Sequence, residues 1–188
     1  EFYTFFKGKH TPGFDPEIHL NKIGVINQTT MLASETQEIA EFLKRVTEEF
    51  AARSKTDKTF ADTRDTLCYA TNDNQSATEA LMKEALDFAI VVGGYNSSNT
   101  SHLVELLEQS CPTYFIKDET EIVDATSIRS FNIHTHEVET IENWLKGKKI
   151  GITSGASCPD SIIDNVISKV LTLTGSERAI DEVIAELG

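Results

Sequence analysis

Hydrophobic positions in this chain follow two rhythms. Short apolar runs bounded by turn residues occur at residues 22–27, 88–92, 113–116 and 149–154. Each has the length of a strand buried in a sheet. Between them, apolar residues recur at helical spacing: Ile39, Phe42, Leu43, Val46 and Phe50 within 34–53; Ala77, Ala80, Leu81 and Ala85; Leu103, Leu106 and Leu107 within 100–109. A last helix is predicted over 161–173, packing Ile162, Ile163, Val166, Ile167 and Val170 inward. Ser34 with Gln37, and Ser157 with Asp160, have capping-box spacing, and Pro159 suits a first helical turn. Residues 131–138 alternate weakly and read as extended, 141–145 as a short helix and 118–122 as a turn or a single helical turn. Phe2, Phe5 and Phe6 would share one helix face in an opening stretch without a clean period.

Strands alternating with helices predict an α/β fold: parallel sheets with flanking helices. The polar stretch 54–65 suggests a division into 1–62, 63–174 and a polar tail, 175–188, with room for a terminal helix. Three times a strand runs into a Ser/Thr/Asn turn and then a helix: at 27–30, 96–100 and 154–157. In open parallel sheets ligands collect at the carboxyl ends of strands, where all three turns would lie.

The richest of these turns follows the run Phe88-Ala89-Ile90-Val91-Val92. It reads Gly93-Gly94-Tyr95-Asn96-Ser97-Ser98-Asn99-Thr100. A strand, a tight turn and a helix start can hold phosphate, because first-turn N–H groups lack partners and the helix dipole favours an anion. Ser97, Ser98 and Asn99 would add side-chain donors. The plainer alternative is that Ser98 or Asn99 caps the helix and the glycines turn the chain.

Composition narrows the chemistry. With 39% hydrophobic and 25% charged residues the chain is ordinary globular material, and its net charge of −13 argues against nucleic-acid binding. The apolar runs are too short for a membrane span. Cys68, Cys111 and Cys158 are an odd number without paired spacing, which fits a reducing compartment. No Walker A lysine motif, GxGxxG or HExxH is present. His134 and His136 could share a strand face, but nothing adjacent completes a metal site. Cys68 alone could be a small buried hydrophobe. The start at Glu1 suggests a fragment. The residues thus lead to an α/β protein binding a phosphorylated small molecule.

Four stretches carry a resemblance: Asn27-Gln28-Thr29-Thr30-Met31-Leu32, Asp65-Thr66-Leu67-Cys68-Tyr69-Ala70-Thr71, Val91 to Leu103, and Thr153-Ser154-Gly155-Ala156-Ser157. In order and wording they resemble the IspH/LytB family of 4-hydroxy-3-methylbut-2-enyl diphosphate reductases, most closely its cyanobacterial and plastid branch. The resemblance implies the last part of a three-domain, pseudo-threefold reductase: the latter part of the middle domain in 1–62 and the third domain in 63–174. It implies a 4Fe-4S cluster with Cys68 as one ligand, Thr71 beside the cluster, and Ser97, Ser98, Asn99 and Ser157 on the substrate diphosphate. Thr29 would lie near the substrate hydroxyl, linked to proton delivery. Ferredoxin or flavodoxin would donate electrons, in the cytoplasm or a plastid stroma. Cys111 and Cys158 match no ligand, and one cysteine cannot hold a four-iron cluster, so the chain is expected to be inactive alone. A non-redox phosphate-binding module of the same ancestry is the alternative.

Overall fold

The structure is a computed structural model that describes residues 1–61, 63, 68–146 and 149–175. Two compact units divide the chain, Glu1–Leu67 and Cys68–Gly188.

In the first unit, short helices α1 (Phe2–Phe5) and α2 (Pro16–His19) precede strand β1 (Lys22–Ile23), the long helix α3 (Ala33–Ser54) and strand β2 (Thr59–Phe60). β1 and β2 pair in parallel. The strand expected over 22–27 is therefore only two residues long, and Gly24 to Asn27 run on outside the ladder. The expected Ser34–Gln37 capping box is not formed. Both the Thr36 amide and its hydroxyl donate to the Leu32 carbonyl, so the helix starts at Ala33 and Ser34 lies inside it. Gln37 instead donates to Glu41 at 2.8 Å. The predicted apolar stripe forms but does not face a core in this unit: Ile39, Phe42, Val46 and Phe50 are all exposed.

The second unit is built on three parallel strands, β3 (Phe88–Val92), β4 (Thr113–Ile116) and β7 (Ile150–Ser154), in the order β4-β3-β7. Helices α4 (Tyr69–Met82), α5 (Ser98–Glu108) and α6 (Asp160–Thr174) flank this sheet, and β5 (Ser127–Asn132) and β6 (Glu137–Glu142) form a hairpin beside it. All five residues of β3 are buried, which explains its unbroken apolar run. Side chains alternate across the pleat. Phe88, Ile90 and Val92 join Ile116, Trp144, Val166 and Val170 on one face. Ala89 and Val91 join Leu103, Val104, Leu107 and Phe115 on the other. Each of the larger side chains contributes about 1.5–3 kcal/mol by leaving water.

Two expected elements differ. Residues 131–138 span the turn of the β5–β6 hairpin rather than a single strand, with His136 at φ 59°. Residues 141–145 are not helical: Ile141 pairs with Ile128 in the hairpin, and Trp144 is buried, its Nε1–H donating to the Asp124 carbonyl at 2.9 Å. The hydrophobic period there belongs to a strand and the coil after it. Beyond Gly175 the expected tail helix lies outside the described residues, as do Asp65, Thr66 and Leu67 of the cysteine motif.

Candidate functional site

The central strand sets the site. From β3 the chain passes through α5 to β4 on one side, while β7 lies on the other. A parallel sheet opens a crevice at such a reversal, outside the carboxyl ends of the strands. The turns after β3 and β7 both leave from that edge, where Val92 pairs with Ser154 and the Gly155 amide donates to the Val92 carbonyl at 3.0 Å.

Ser97 caps α5. Its Oγ accepts from the Thr100 amide at 3.3 Å, so Ser98 and Asn99 occupy the first helical turn and neither is the cap. Their amides are among the orphan donors of a helix start. Asn99 is 5% exposed, and neither its Oδ1 nor its Nδ2 has a partner. An unmet buried amide costs about 1–3 kcal/mol. An incoming anion would recover part of that by accepting from Nδ2. The turn itself is anchored by Tyr95, whose ring stacks on Phe131 with centroids 4.6 Å apart and meets Phe115 edge-on at 5.2 Å. Burial, reinforced by the Glu121 carboxylate, pushes the Tyr95 hydroxyl up to about 12. Lys117 and Arg129 both pair with buried Glu121, at 3.0 and 2.8 Å. The donors of the turn are therefore neutral groups and a helix dipole.

The second turn is drawn close by glycine. A Cβ built at Gly155 would meet Thr100 Oγ1 at 2.0 Å, and one at Gly93 would meet it at 2.8 Å. Only glycine lets the loop carrying Ser157 approach the first turn of α5 so nearly. The expected Ser157–Asp160 capping box is absent. Pro159 takes the N-cap position in an extended conformation without a side-chain bond, which leaves the exposed Ser157 hydroxyl outside the helix.

Cys68 is the N-cap of α4. Its Sγ accepts from the Thr71 amide at 3.4 Å and lies 2.9 Å from the Thr71 hydroxyl. These two bonds, the hydroxyl's foremost, hold the exposed thiol below its usual range and favour the thiolate that ligates metals. Cys158 behaves oppositely: burial, with help from Asp160, pushes its thiol up. Two bonds tie α4 to the carboxyl end of β7. Asn74 Nδ2 donates to the Ser154 carbonyl at 2.8 Å, and the Thr78 and Thr153 hydroxyls lie 3.2 Å apart. Among the described residues no three His, Cys, Asp or Glu side chains converge as a metal site. His134 lies at the hairpin turn and pairs with Glu108 at 3.0 Å.

A family model described as "LytB protein" matches residues 7–171. The chain belongs to the LytB protein family. LytB relatives include the 4-hydroxy-3-methylbut-2-enyl diphosphate reductase of Microcystis aeruginosa, 40% identical over 182 residues, covering 94% of this chain and 44% of the relative. The reductase of the same name from Thermosynechococcus vestitus is 38% identical, over 92% of this chain and 43% of its own length. The chain thus spans less than half the length of these curated relatives. Among solved structures, the E-1-hydroxy-2-methyl-but-2-enyl-4-diphosphate reductase from Plasmodium falciparum is similar at a TM-score of 0.53 and 22% identity, covering 80% of this chain and 39% of that one. That likeness concerns the fold.

The second unit gathers Ser97, Ser98, Asn99 and the Ser157 loop at the sheet's carboxyl edge, and joins Cys68 to Thr71. Thr29 sits in the first unit, exposed in the turn closed by the Met31 amide on the Gln28 carbonyl. Sequence reasoning missed Thr100 and Asn74. A threonine three residues after a capping serine was the available signal for the first; nothing marked the second.

Proposed function

We propose that this chain is the part of a 4-hydroxy-3-methylbut-2-enyl diphosphate reductase that grips the substrate diphosphate and gives one thiolate to an iron–sulfur cluster. The observation that carries this reading is Asn99, a buried side chain with both polar atoms unmatched at the start of α5. A diphosphate offers acceptors enough for Asn99 Nδ2, the Ser97 and Ser98 hydroxyls, the first-turn amides and Ser157 at once.

In this reading Cys68 ligates a 4Fe-4S cluster, its thiolate held ready by Thr71, and further thiolates come from elsewhere in the longer protein. The cluster, when bound, would supply electrons and Lewis-acid activation of the substrate hydroxyl. The chain's own residues fix the other end. Ser97, Ser98, Asn99 and Ser157 hold the diphosphate so that the allylic carbon is presented in one direction. Thr29 acts on the hydroxyl side, linked to proton delivery. Two electrons and protons then remove the hydroxyl as water, giving isopentenyl and dimethylallyl diphosphate. Ferredoxin or flavodoxin is the electron donor, and the cytoplasm or a plastid stroma the setting. No described helix is long and apolar enough to cross a membrane. Alone the chain is inactive as a reductase, because it lacks the remaining cluster ligands.

The test is a chemical-shift titration of the chain with the allylic diphosphate. Amides 97–100 and 155–158 are expected to shift, and the Ser97→Ala/Asn99→Ala variant to respond at least tenfold more weakly. A double variant that binds as well as wild type removes the diphosphate assignment.

A further inference from the structure

Thr100 sits at the meeting point of the two turns, fully buried, and the diphosphate reading gives it no task. Its side chain is directed unlike those of four other helical threonines in the chain. Thr36, Thr47, Thr172 and Thr174 each donate to the carbonyl four residues earlier. Thr100 Oγ1 instead donates to Ser97 Oγ at 2.9 Å, and its amide donates to the same oxygen at 3.3 Å. A serine hydroxyl has two lone pairs and one proton. With both lone pairs engaged from the Thr100 side, the Ser97 proton is the part left to bind outward.

We infer that Thr100 is a positioning residue that turns Ser97 from a helix cap into a directed proton donor for the bound anion. This inference rests on the diphosphate reading above. A serine that only caps a helix accepts one amide bond, and its proton rotates among several acceptors. Here the second bond restricts the rotor. The donor itself has little room to swing, because the Gly93 and Gly155 backbones both approach Thr100 Oγ1 so closely that a Cβ on either would lie within 2.8 Å of it. A chain of two hydroxyls also polarises its terminal proton, which strengthens the outward bond. The same arrangement recurs at Cys68: a capping heteroatom met by both the amide and the hydroxyl of a buried threonine three residues on. The two helix-capping residues assigned to ligand contact in this unit, Ser97 and Cys68, thus each carry a threonine behind them.

The experiment measures inorganic pyrophosphate binding by chemical-shift titration for wild type, Thr100→Val, Thr100→Ser, Ser97→Ala and the Ser97→Ala/Thr100→Val double variant. Thr100→Val keeps the shape and removes the hydroxyl, so affinity should fall about tenfold, the loss of one well-directed bond to a charged group. Thr100→Ser should stay within about twofold of wild type, since it keeps the hydroxyl. The double variant should bind no more weakly than Ser97→Ala alone, because Thr100 acts through Ser97. A packing role would move the melting temperature but leave the two losses additive. Should Thr100→Val fail to fold, Thr100→Ala, which adds no bulk beside the glycines, carries the same expectation. Wild-type affinity in the hydroxyl-free variant, or additive losses in the double variant, overturns the inference while leaving the diphosphate reading standing. A wild-type chain that does not respond to pyrophosphate overturns both.

Discussion

Gly155→Ala should be among the most damaging single-methyl additions available to the second unit. The added Cβ would lie 2.0 Å from Thr100 Oγ1 and 3.2 Å from Thr100 Cβ, whereas ordinary contact begins at 3.4 Å. The gap must therefore open by about 1.4 Å, the difference between those contacts, a large displacement for close-packed material. Thr100 cannot yield, since it belongs to the helix whose Leu103, Val104 and Leu107 are core residues. The loop must move instead, which breaks the bond from the Gly155 amide to the Val92 carbonyl and carries Ser157 outward. Overpacking costs about 1–3 kcal/mol. The lost backbone bond adds about 1 kcal/mol. The expected destabilisation is thus about 2–4 kcal/mol, read as a lower urea midpoint at unchanged slope. Thr100→Ala removes the clashing oxygen, so the double variant should recover about 1–2 kcal/mol relative to the sum of the single losses. A Gly155→Ala chain as stable as wild type, or strictly additive variants, would refute the reasoning.

Thr71→Val should raise the Cys68 thiol toward its ordinary range, because the largest of its stabilising bonds comes from the Thr71 hydroxyl. The thiolate is the reactive form, so the pH midpoint of iodoacetamide alkylation at Cys68 should move upward, with Cys158 reacting after Cys68 in the wild-type chain. An unmoved midpoint counts against the assignment. Leu107→Ala, at a fully buried position, should cost about 2–5 kcal/mol in urea unfolding. Phe42→Ser on the exposed face of α3 should stay within about 0.5 kcal/mol. Equal costs would mean that the face is covered in solution. On the proposed reading, a protein that joins this chain to the other cluster ligands, reconstituted anaerobically with iron and sulfide, should lose its brown absorbance on Cys68→Ser; a variant that keeps it would sink the ligand assignment.

The sheet was legible because β3 is buried on both faces, and such a strand writes an uninterrupted apolar run. The hairpin was not, because β6 is exposed along nearly its whole length and carries Glu137, Glu139 and Glu142 where a half-buried strand would alternate. Both capping boxes had the right spacing and the wrong occupant. Leu32 and Pro159 take the N-cap positions through backbone conformation alone, which residue type does not reveal. At the site, Ser97, Ser98 and Asn99 stood out as a polar excess beyond one cap, and their placement on α5 follows. Thr100 stayed hidden because its task depends on Gly155, a neighbour in space that lies far along the chain.

The cradle's neutrality leads to a test of its electrostatics. A phosphate site made from Lys and Arg loses affinity as salt rises, because screening weakens the attraction that builds it. Here the two basic side chains that pair with Glu121 are already engaged, and the donors named for the anion are hydroxyls, an amide and helix N–H groups. Short hydrogen bonds and a local dipole act within a few ångströms, below the screening length of about 10 Å at 0.1 M salt. The net charge of −13, by contrast, repels a diphosphate over longer distances, and that repulsion is what salt removes. Raising sodium chloride from about 20 mM to about 300 mM should therefore leave pyrophosphate affinity for this chain unchanged or improve it. The measurement is a dissociation constant from amide shifts at each salt concentration, with phosphate-free buffer throughout. A steep loss of affinity over that range would mean that a cation outside the cradle binds the anion, and the neutral-donor account would be wrong.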